Sequence, residues 1–538
     1  MTNLRRILMA AGESYKRSDV TDSWDTIVIG SGIGGMAAAA LLARTGQRVL
    51  VLEKHSTAGG ATQTFRRAGY EWDAGLHYIG QVHRPTSTLR RIFDYISDGK
   101  LQWAPMADVY NRIVIGDREY EYPSGEAAFR EQMVTYFPDE SVAIDRYLDL
   151  VRQANRSARA YFAHRALPGD VADQAYGDLC EPFRSFSDRT VSEVLSELTD
   201  SETLKTVLAG HCGDYSLAPG RASFAVHAML IRHYIDGASF PVGGSARLAQ
   251  TAADVIRSAN GAVLVAAEVA SVALDDDGRA VGVVMHDGRR LWSKAVISDA
   301  GALNTLTQLV PPEATDTELI ESLRSVGPSQ PWVVLNIGIR QSDAELNLGK
   351  SNIWIHRGDD IDAAILDYEA DPENRPMPLY FLTFPSAKDP SWPDRHPGRA
   401  TIDIAGMTAW KLFEKFAETA WMDRGEDYAK LKHTLTEELV EQLLRFCPQL
   451  RGKLDHVEVA TPLSFNHFLN REHGDFMSLA ASPERFAVKK LSAHTGVPNL
   501  YLAGQDVAAA GVVGAVQGGV VAASAVLGRN VMSDIATA

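Results

Sequence analysis

Cysteine is scarce: the chain has three in 538 residues, at positions 180, 212 and 447. They are odd in number and far apart, which excludes a disulfide framework and any CxxC metal site. A reducing compartment is the simpler reading, so a cytoplasmic protein is expected. No HExxH or paired Cys/His spacing occurs, and no metal site is expected. Positive charge is also short, with 53 Lys and Arg against 68 Asp and Glu, a net charge of −15. That balance argues against nucleic-acid binding by the chain as a whole, because phosphate backbones need a basic surface. Long apolar runs are nearly absent. Residues 508–527 form an uncharged stretch as long as a bilayer span needs, but it holds Gly511, Gly514, Gln517, Gly518 and Gly519. Glycines weaken a helix yet let backbones approach closely, which predicts a buried helix rather than a span. The apolar stretch near the N-terminus runs into Glu13, Lys16 and Arg17, so no signal peptide is expected. No repeat or low-complexity tract is visible. At 45% apolar and 22% charged residues the composition is globular, and the length predicts two or three units.

The densest signal is DTIVIGSGIGGMAAAALLARTGQRVLVLEK, residues 25–54. Residues 26–29 are an apolar run ending at glycine, which predicts a buried parallel strand. Gly30-Ser31-Gly32-Ile33-Gly34-Gly35 matches GxGxxG. Residues 36–44 are rich in Ala and Leu and predict a helix, with Gly46 at its C-cap. Residues 48–52 predict a second strand, ending at Glu53. Gly30 permits the tight turn, Gly32 lets backbone approach a pyrophosphate, and Gly35 lets the helix pack on the strand. The helix start offers N–H groups and a positive dipole to phosphate. Glu53 is placed to accept from a ribose hydroxyl. Between two strands and before an acid, the fingerprint reads as a dinucleotide site rather than a chance glycine turn.

Later segments extend the site. Gly59-Gly60-Ala61-Thr62 follows closely on Lys54, and AGYEWDAGLHYIG occupies residues 68–80. FPVGGSARL at residues 240–248 predicts the start of a helix, and residues 262–266 predict a strand leading to Glu268 and Val269. Strands with tight turns follow, and residues 295–297 lead to Ser298-Asp299-Ala300-Gly301. Far along, residues 499–503 predict a strand, then the turn Gly504-Gln505-Asp506 and a glycine-rich helix. Together these parts resemble the FAD-binding motifs of the amine oxidase and carotenoid desaturase superfamily. Asp73-Ala74-Gly75-Leu76-His77-Tyr78-Ile79-Gly80, Trp103-Ala104-Pro105-Met106, Gly213-Asp214-Tyr215 and TFPSAKDP at residues 383–390 narrow it. They are similar to the retinol saturase branch, beside the carotenoid isomerases and phytoene desaturases, and the likeness runs over nearly the whole chain.

The resemblance implies an α/β fold, with a discontinuous Rossmann-like FAD-binding domain of the amine oxidase/phytoene desaturase type and an inserted mixed α+β substrate domain. The FAD-binding domain is expected at residues 22–90, 240–302 and 489–538. The substrate domain is expected at 91–239, largely helical, and 303–488, with an N-terminal extension at 1–21. FAD contacts are implied at Gly30, Ser31, Gly32, Ile33, Gly34, Gly35, Glu53, Lys54, Gly59, Gly60, Ala61, Thr62, Val269, Gly504, Asp506, Val513 and Gly514. Residues 410–447 are the clearest helical stretch, with a break near Gly425.

The implied activity is oxidoreduction at C=C bonds of a hydrophobic polyene, retinoid or carotenoid-like, with saturation of one conjugated bond foremost. Desaturation or cis–trans isomerisation on the same fold is the alternative, and a prenyl-lipid-binding protein without flavin chemistry is the alternative of another class. A second dinucleotide fingerprint is lacking, which leaves the electron donor or acceptor open. Proton transfer near neutral pH suits histidine. His77 and Tyr78 follow directly on an FAD motif and are the foremost catalytic candidates, ahead of His227, His233 and His467. RQANRSARAYFAHRAL at residues 152–167 carries Arg152, Arg156, Arg159 and Arg165 without an acid. It reads as a basic amphipathic patch suited to peripheral membrane contact, or as a solvated face with Tyr161 and Phe162 in the core.

Overall fold

A computed structural model describes residues 11–19 and 21–537. Its first sheet has eight strands, running Glu13–Ser14, Ala262–Val265, Val49–Glu53, Ser23–Ile29, Arg290–Ser298, Ala280–Met285 and Val269–Leu274, with Leu500–Leu502 also paired to Arg290–Ser298. The inner strands are parallel, rich in Val, Ile and Leu, and buried on both faces, as parallel sheets require. Glu13 and Ser14 pair with Leu264 and Val265, so this part of the expected N-terminal extension is an edge strand of the sheet. Residues 1–10, where the signal-peptide question lies, are outside the described residues.

The fingerprint helix, Ile33–Arg44, is buried from Ile33 to Ala43. Its Ala-rich face suits close packing. Against it lies the helix Gly511–Leu527, buried through most of its length. A Cβ on Gly519 would strike the Gly34 carbonyl, and one on Gly518 would strike the Gly504 carbonyl. The uncharged stretch at 508–527 is therefore a helix pressed against backbone. Among the described residues no helix is long and apolar enough to cross a membrane.

The second sheet has seven strands, in the order Leu454–Ala460, Trp332–Ile339, Ala400–Met407, Leu379–Thr383, Asn352–His356, Val109–Ile115 and Arg118–Pro123. Both insertions build it, joined where Asn352–His356 runs parallel to Val109–Ile115. Helices Ser141–His164, Gly169–Ser187 and Phe224–Tyr234 of the first insertion pack beside it in one large apolar core. The expected long helix at 410–447 is shorter: residues Trp410–Leu412 and Glu414–Phe416 are single 3₁₀ turns, and the helix runs Gly425–Phe446. Gly425 starts it at φ +81°, a left-handed conformation that glycine adopts without strain.

Gly519→Val is expected to force the two glycine-packed helices apart and to cost about 1–3 kcal/mol in stability. Gly177→Ala, in a helix with open space around the new methyl, should be neutral or gain up to about 1 kcal/mol. Thermal unfolding of the two variants checks the contrast.

Candidate active site

The first strand ends at Gly30, whose φ of +95° needs glycine. Its N–H donates to Leu52 O at 2.8 Å, which turns the chain under the next strand. A Cβ on Gly35 would strike the Gly30 carbonyl, and one on Gly32 or Gly34 would strike the Asp299 carboxylate. Glu53 is buried and ties the loops together. It accepts from Ser31 N–H at 3.1 Å, Ser31 Oγ at 2.6 Å and His55 N–H at 2.9 Å. Ser31 Oγ accepts in turn from Gly59 N–H at 3.0 Å, and Thr62 Oγ1 donates to Gly59 O at 2.8 Å, which fixes the segment holding Gly60 and Ala61. Lys54 Nζ reaches Asn470 Oδ1 at 3.0 Å, so this end of the cradle touches the second insertion. Val269 opens the edge strand Val269–Leu274, two residues after Ala267, whose N–H donates to Glu53 O at 2.8 Å.

From the other end of the chain, Gly504 packs on Gly34. Asp506 is buried, and its Oδ2 accepts from Ala302 N–H at 2.8 Å while Oδ1 has no partner. Val513 and Gly514 stand in the first turn of the Gly511–Leu527 helix. Glycines that leave room for backbone approach, two helix starts and an orphaned buried carboxylate oxygen together fit a dinucleotide with a polyol chain. Two groups escaped the sequence reading as site residues. Asp299 lies against four glycines of the fingerprint, Gly30, Gly32, Gly34 and Gly35, and burial lifts its carboxyl to about 7. Arg485 lies fully buried beneath the Gly504 turn and donates to the carbonyls of Leu479, Gln505, Asp506 and Ala508. Nothing in the sequence around Arg485 marks it.

One cavity of about 1590 Å³ adjoins this cradle. It exceeds the roughly 300–1,000 Å³ of a single-ligand pocket and has room for two ligands. Gly75, Leu76, Phe476 and Val512 to Gly514 line it on the cradle side, and Trp332, Val334, Trp354 and Phe381 on the far side. His77 and Tyr78 stand between the two. Of the other histidine candidates, His233 also lines the cavity, but its Nε2 accepts from Gly80 N–H at 2.7 Å. His227 is bonded to Tyr147 Oη at 2.8 Å inside the core, and His467 stacks on Trp421 at 4.0 Å; neither is brought to the cavity.

His77 is enclosed, its Nδ1 unpartnered and 3.9 Å from Asp403 Oδ2. Burial, then the nearby Lys388 cation, pushes its pKa down to about 3, so it is neutral at physiological pH. Tyr78 Oη donates to Asp214 Oδ2 at 2.5 Å and accepts from Asn111 Nδ2 at 3.3 Å. Asp214 lines the cavity, and burial lifts its carboxyl to about 7 against the lowering effect of the Tyr78 bond. Asp214 is a site residue that sequence reasoning quoted within a motif without assigning it a role. Its signal is a lone acid amid the apolar residues of 206–231.

The rim of the cavity corrects the charge reading of 152–167. Arg152 pairs with Glu126 and Asp149, acids that lie outside that window. Arg165 is buried and donates to Tyr161 Oη, its guanidinium 4.8 Å over the ring. Tyr161 and Phe162 are in the core. Arg156 and Arg159 are the two exposed arginines of the four, and together with Arg152 they line the cavity.

Comparison with known proteins agrees with this geometry. The chain is 36% identical over 543 residues to a human protein named all-trans-retinol 13,14-reductase, covering 97% of this chain and 88% of that one. It is 24% identical over 492 residues to prolycopene isomerase 2, chloroplastic, of an Oncidium hybrid cultivar, covering 87% and 77%. Among solved structures, putrescine oxidase bound to putrescine superposes with a TM-score of 0.60 at 14% identity, covering 94% of this chain and 99% of that one, which speaks to the fold alone. FAD is the cofactor that the cradle fits. With the model of the flavin containing amine oxidoreductases matching residues 33–527, the chain belongs to that family.

Proposed function

We propose that this FAD-dependent oxidoreductase saturates one conjugated C=C bond of a hydrophobic polyene of retinoid or carotenoid type. The observation that carries the reading is a cavity walled by Trp332, Trp354 and Phe381, lined also by Tyr78 and Asp214, that meets the FAD cradle at Gly75 and at Val512 to Gly514. Similarity to a named retinol reductase over nearly the whole chain supports it. Bound and reduced, FAD supplies a hydride to one carbon of the double bond. The other carbon needs a proton, and the chain must hold it at the cavity wall. Neutral His77 is poorly suited to give one. The Asp214 carboxyl, bonded to Tyr78, is the group suited to do so at neutral pH. Aromatic walls hold the flat polyene and keep water from the reacting atoms.

The polyene reaches the cavity from a lipid surface, on the same reading. Arg156 and Arg159 stand on one face of the Ser141–His164 helix, with Ala163 and Leu167 beside them on the cavity rim. Two cations beside an apolar rim suit contact with anionic lipid headgroups.

Anaerobic, photoreduced protein given retinol should yield a product heavier by two hydrogen atoms in mass spectrometry. A product of unchanged mass would replace saturation with isomerisation, the activity named for the more distant relative. Protonated Asp214 is the active form, so kcat should fall as pH rises through about 7. Asp214→Asn should lower kcat by roughly 100-fold or more and flatten that limb, with KM little changed. In flotation with phosphatidylserine vesicles, Arg156→Gln with Arg159→Gln should weaken binding by roughly 30-fold, at about 1 kcal/mol for each cation lost.

A further inference from the structure

The second sheet carries a row of polar side chains across a face otherwise built for burial. Asn111 and Asn352 are register partners on neighbouring strands, as are Asp403 and Asn336. Asn352 Nδ2 donates to Asn111 Oδ1 at 3.1 Å, and Thr383 Oγ1 donates to Asn352 Oδ1 at 2.8 Å. Asn336 Nδ2 donates to Asp403 Oδ1 at 2.8 Å. Over this row lies Lys388, fully buried. Its ammonium donates to His77 O at 2.9 Å, Asn352 Oδ1 at 2.5 Å and Thr383 Oγ1 at 2.5 Å. Three neutral acceptors hold this cation, and no carboxylate touches it among the described residues.

From Lys388 the bonds lead to the cavity. They run through Asn352 to Asn111, from Asn111 Nδ2 to Tyr78 Oη, and from Tyr78 Oη to Asp214 Oδ2. The ammonium also lies 5.8 Å from the centre of the Tyr78 ring. Its His77 bond pins the residue next to Tyr78 in the chain. Lysine therefore fixes Tyr78 from two sides, through the backbone and through the amide row.

We propose that Lys388 is a positioning residue for proton transfer, ordering the Tyr78–Asp214 pair through Asn352 and Asn111 and holding a positive charge behind it. The proposal rests on the reading of that pair as the proton source. The charged and titratable groups facing the two ends are few. Around Lys388 they are Asp403, Asp73 and neutral His77, while Asp389 is engaged by Arg395. Around Asp214 they are Tyr78, Tyr110, Tyr234 and Cys212, whose protons burial holds well above the neutral range, and His211, whose Nδ1 lies 3.6 Å away and which burial keeps neutral; none of them carries a charge near neutral pH. Lys388 is the cation that favours the ionised form of Asp214, and Asp214 in return favours the charged lysine. Loss of the ammonium must therefore raise the pH at which Asp214 gives up its proton.

Infrared spectroscopy of the substrate-free holoprotein tests this without turnover. The carboxyl stretch of protonated Asp214 is the band missing from Asp214→Asn. Its midpoint should move up by roughly half a pH unit or more in Lys388→Met. Thr383→Val, which removes one acceptor from the ammonium, should move it the same way by less, and decides the matter if Lys388→Met does not fold. An unmoved midpoint in a folded variant overturns the proposal. The alkaline limb of kcat should follow the band, with kcat at least tenfold lower in Lys388→Met and KM within twofold. If the band moves while the limb stays, Lys388 governs Asp214, and the assignment of Asp214 as the proton source is overturned instead.

Discussion

The structure turns on a contact made by the absence of side chains. Gly34 near one end of the chain meets Gly504 and Gly519 near the other, backbone against backbone, and Gly518 packs on Gly504 beside them. No larger residue fits at these points, so the fingerprint helix and the Gly511–Leu527 helix lie closer than ordinary helices do. That closeness sets the Gly504 turn against the start of the fingerprint helix, and Asp506, two residues on, is tied to Ala302 just past the strand Arg290–Ser298. A dinucleotide cradle made from the two ends of a chain exists only while the contact holds. Everything between the ends is free to form a second domain, provided its two insertions return to the same strands.

The insertions do more than return. Strand Val109–Ile115 from the first pairs with Asn352–His356 from the second, so neither builds the seven-stranded sheet alone. This is why the polar row beneath the cavity mixes residues from both. Tyr78 leaves the FAD domain just before the first insertion begins, Asp214 lies within that insertion, and Lys388 lies within the second. The pair that faces substrate is thus fixed by all three parts of the chain.

Much of this was legible before the structure. The fingerprint and the second FAD motif were readable because each is a local pattern, a glycine spacing beside an apolar run. The glycine-rich stretch at 508–527 was recognisable as buried rather than spanning for the same reason. What escaped reading depends on contacts between distant segments. The acids that neutralise Arg152 lie before its window, and one of them is on another helix. Arg485 has no motif, only a position beneath four carbonyls. Lys388 stood in a recognised segment, but its meaning lies in Asn352 and Asn111, which no spacing connects. Histidine was favoured as the proton group because of its ordinary pKa, and burial reverses that argument. It leaves His77 neutral while lifting a carboxyl into the neutral range.

Burying Lys388 is costly. An ammonium taken from water loses several kcal/mol of solvation, and neutral acceptors return only part of it. The same burial lowers its pKa to about 7, against the raising effect of Asp403, Asp73 and Asp214. An apolar residue of like volume at that position, with an apolar row beneath it, would give a more stable sheet. The polar row is therefore not explained by folding. It is explained by what lies at its other end, a carboxyl on the wall of an apolar cavity. There the carboxyl has few other groups to govern its charge. In a cavity lined by tryptophan and phenylalanine, an acid left to itself would bind its proton too tightly to release it near neutral pH. A cation set behind it, out of reach of substrate, restores that balance without placing a charge where the polyene must lie.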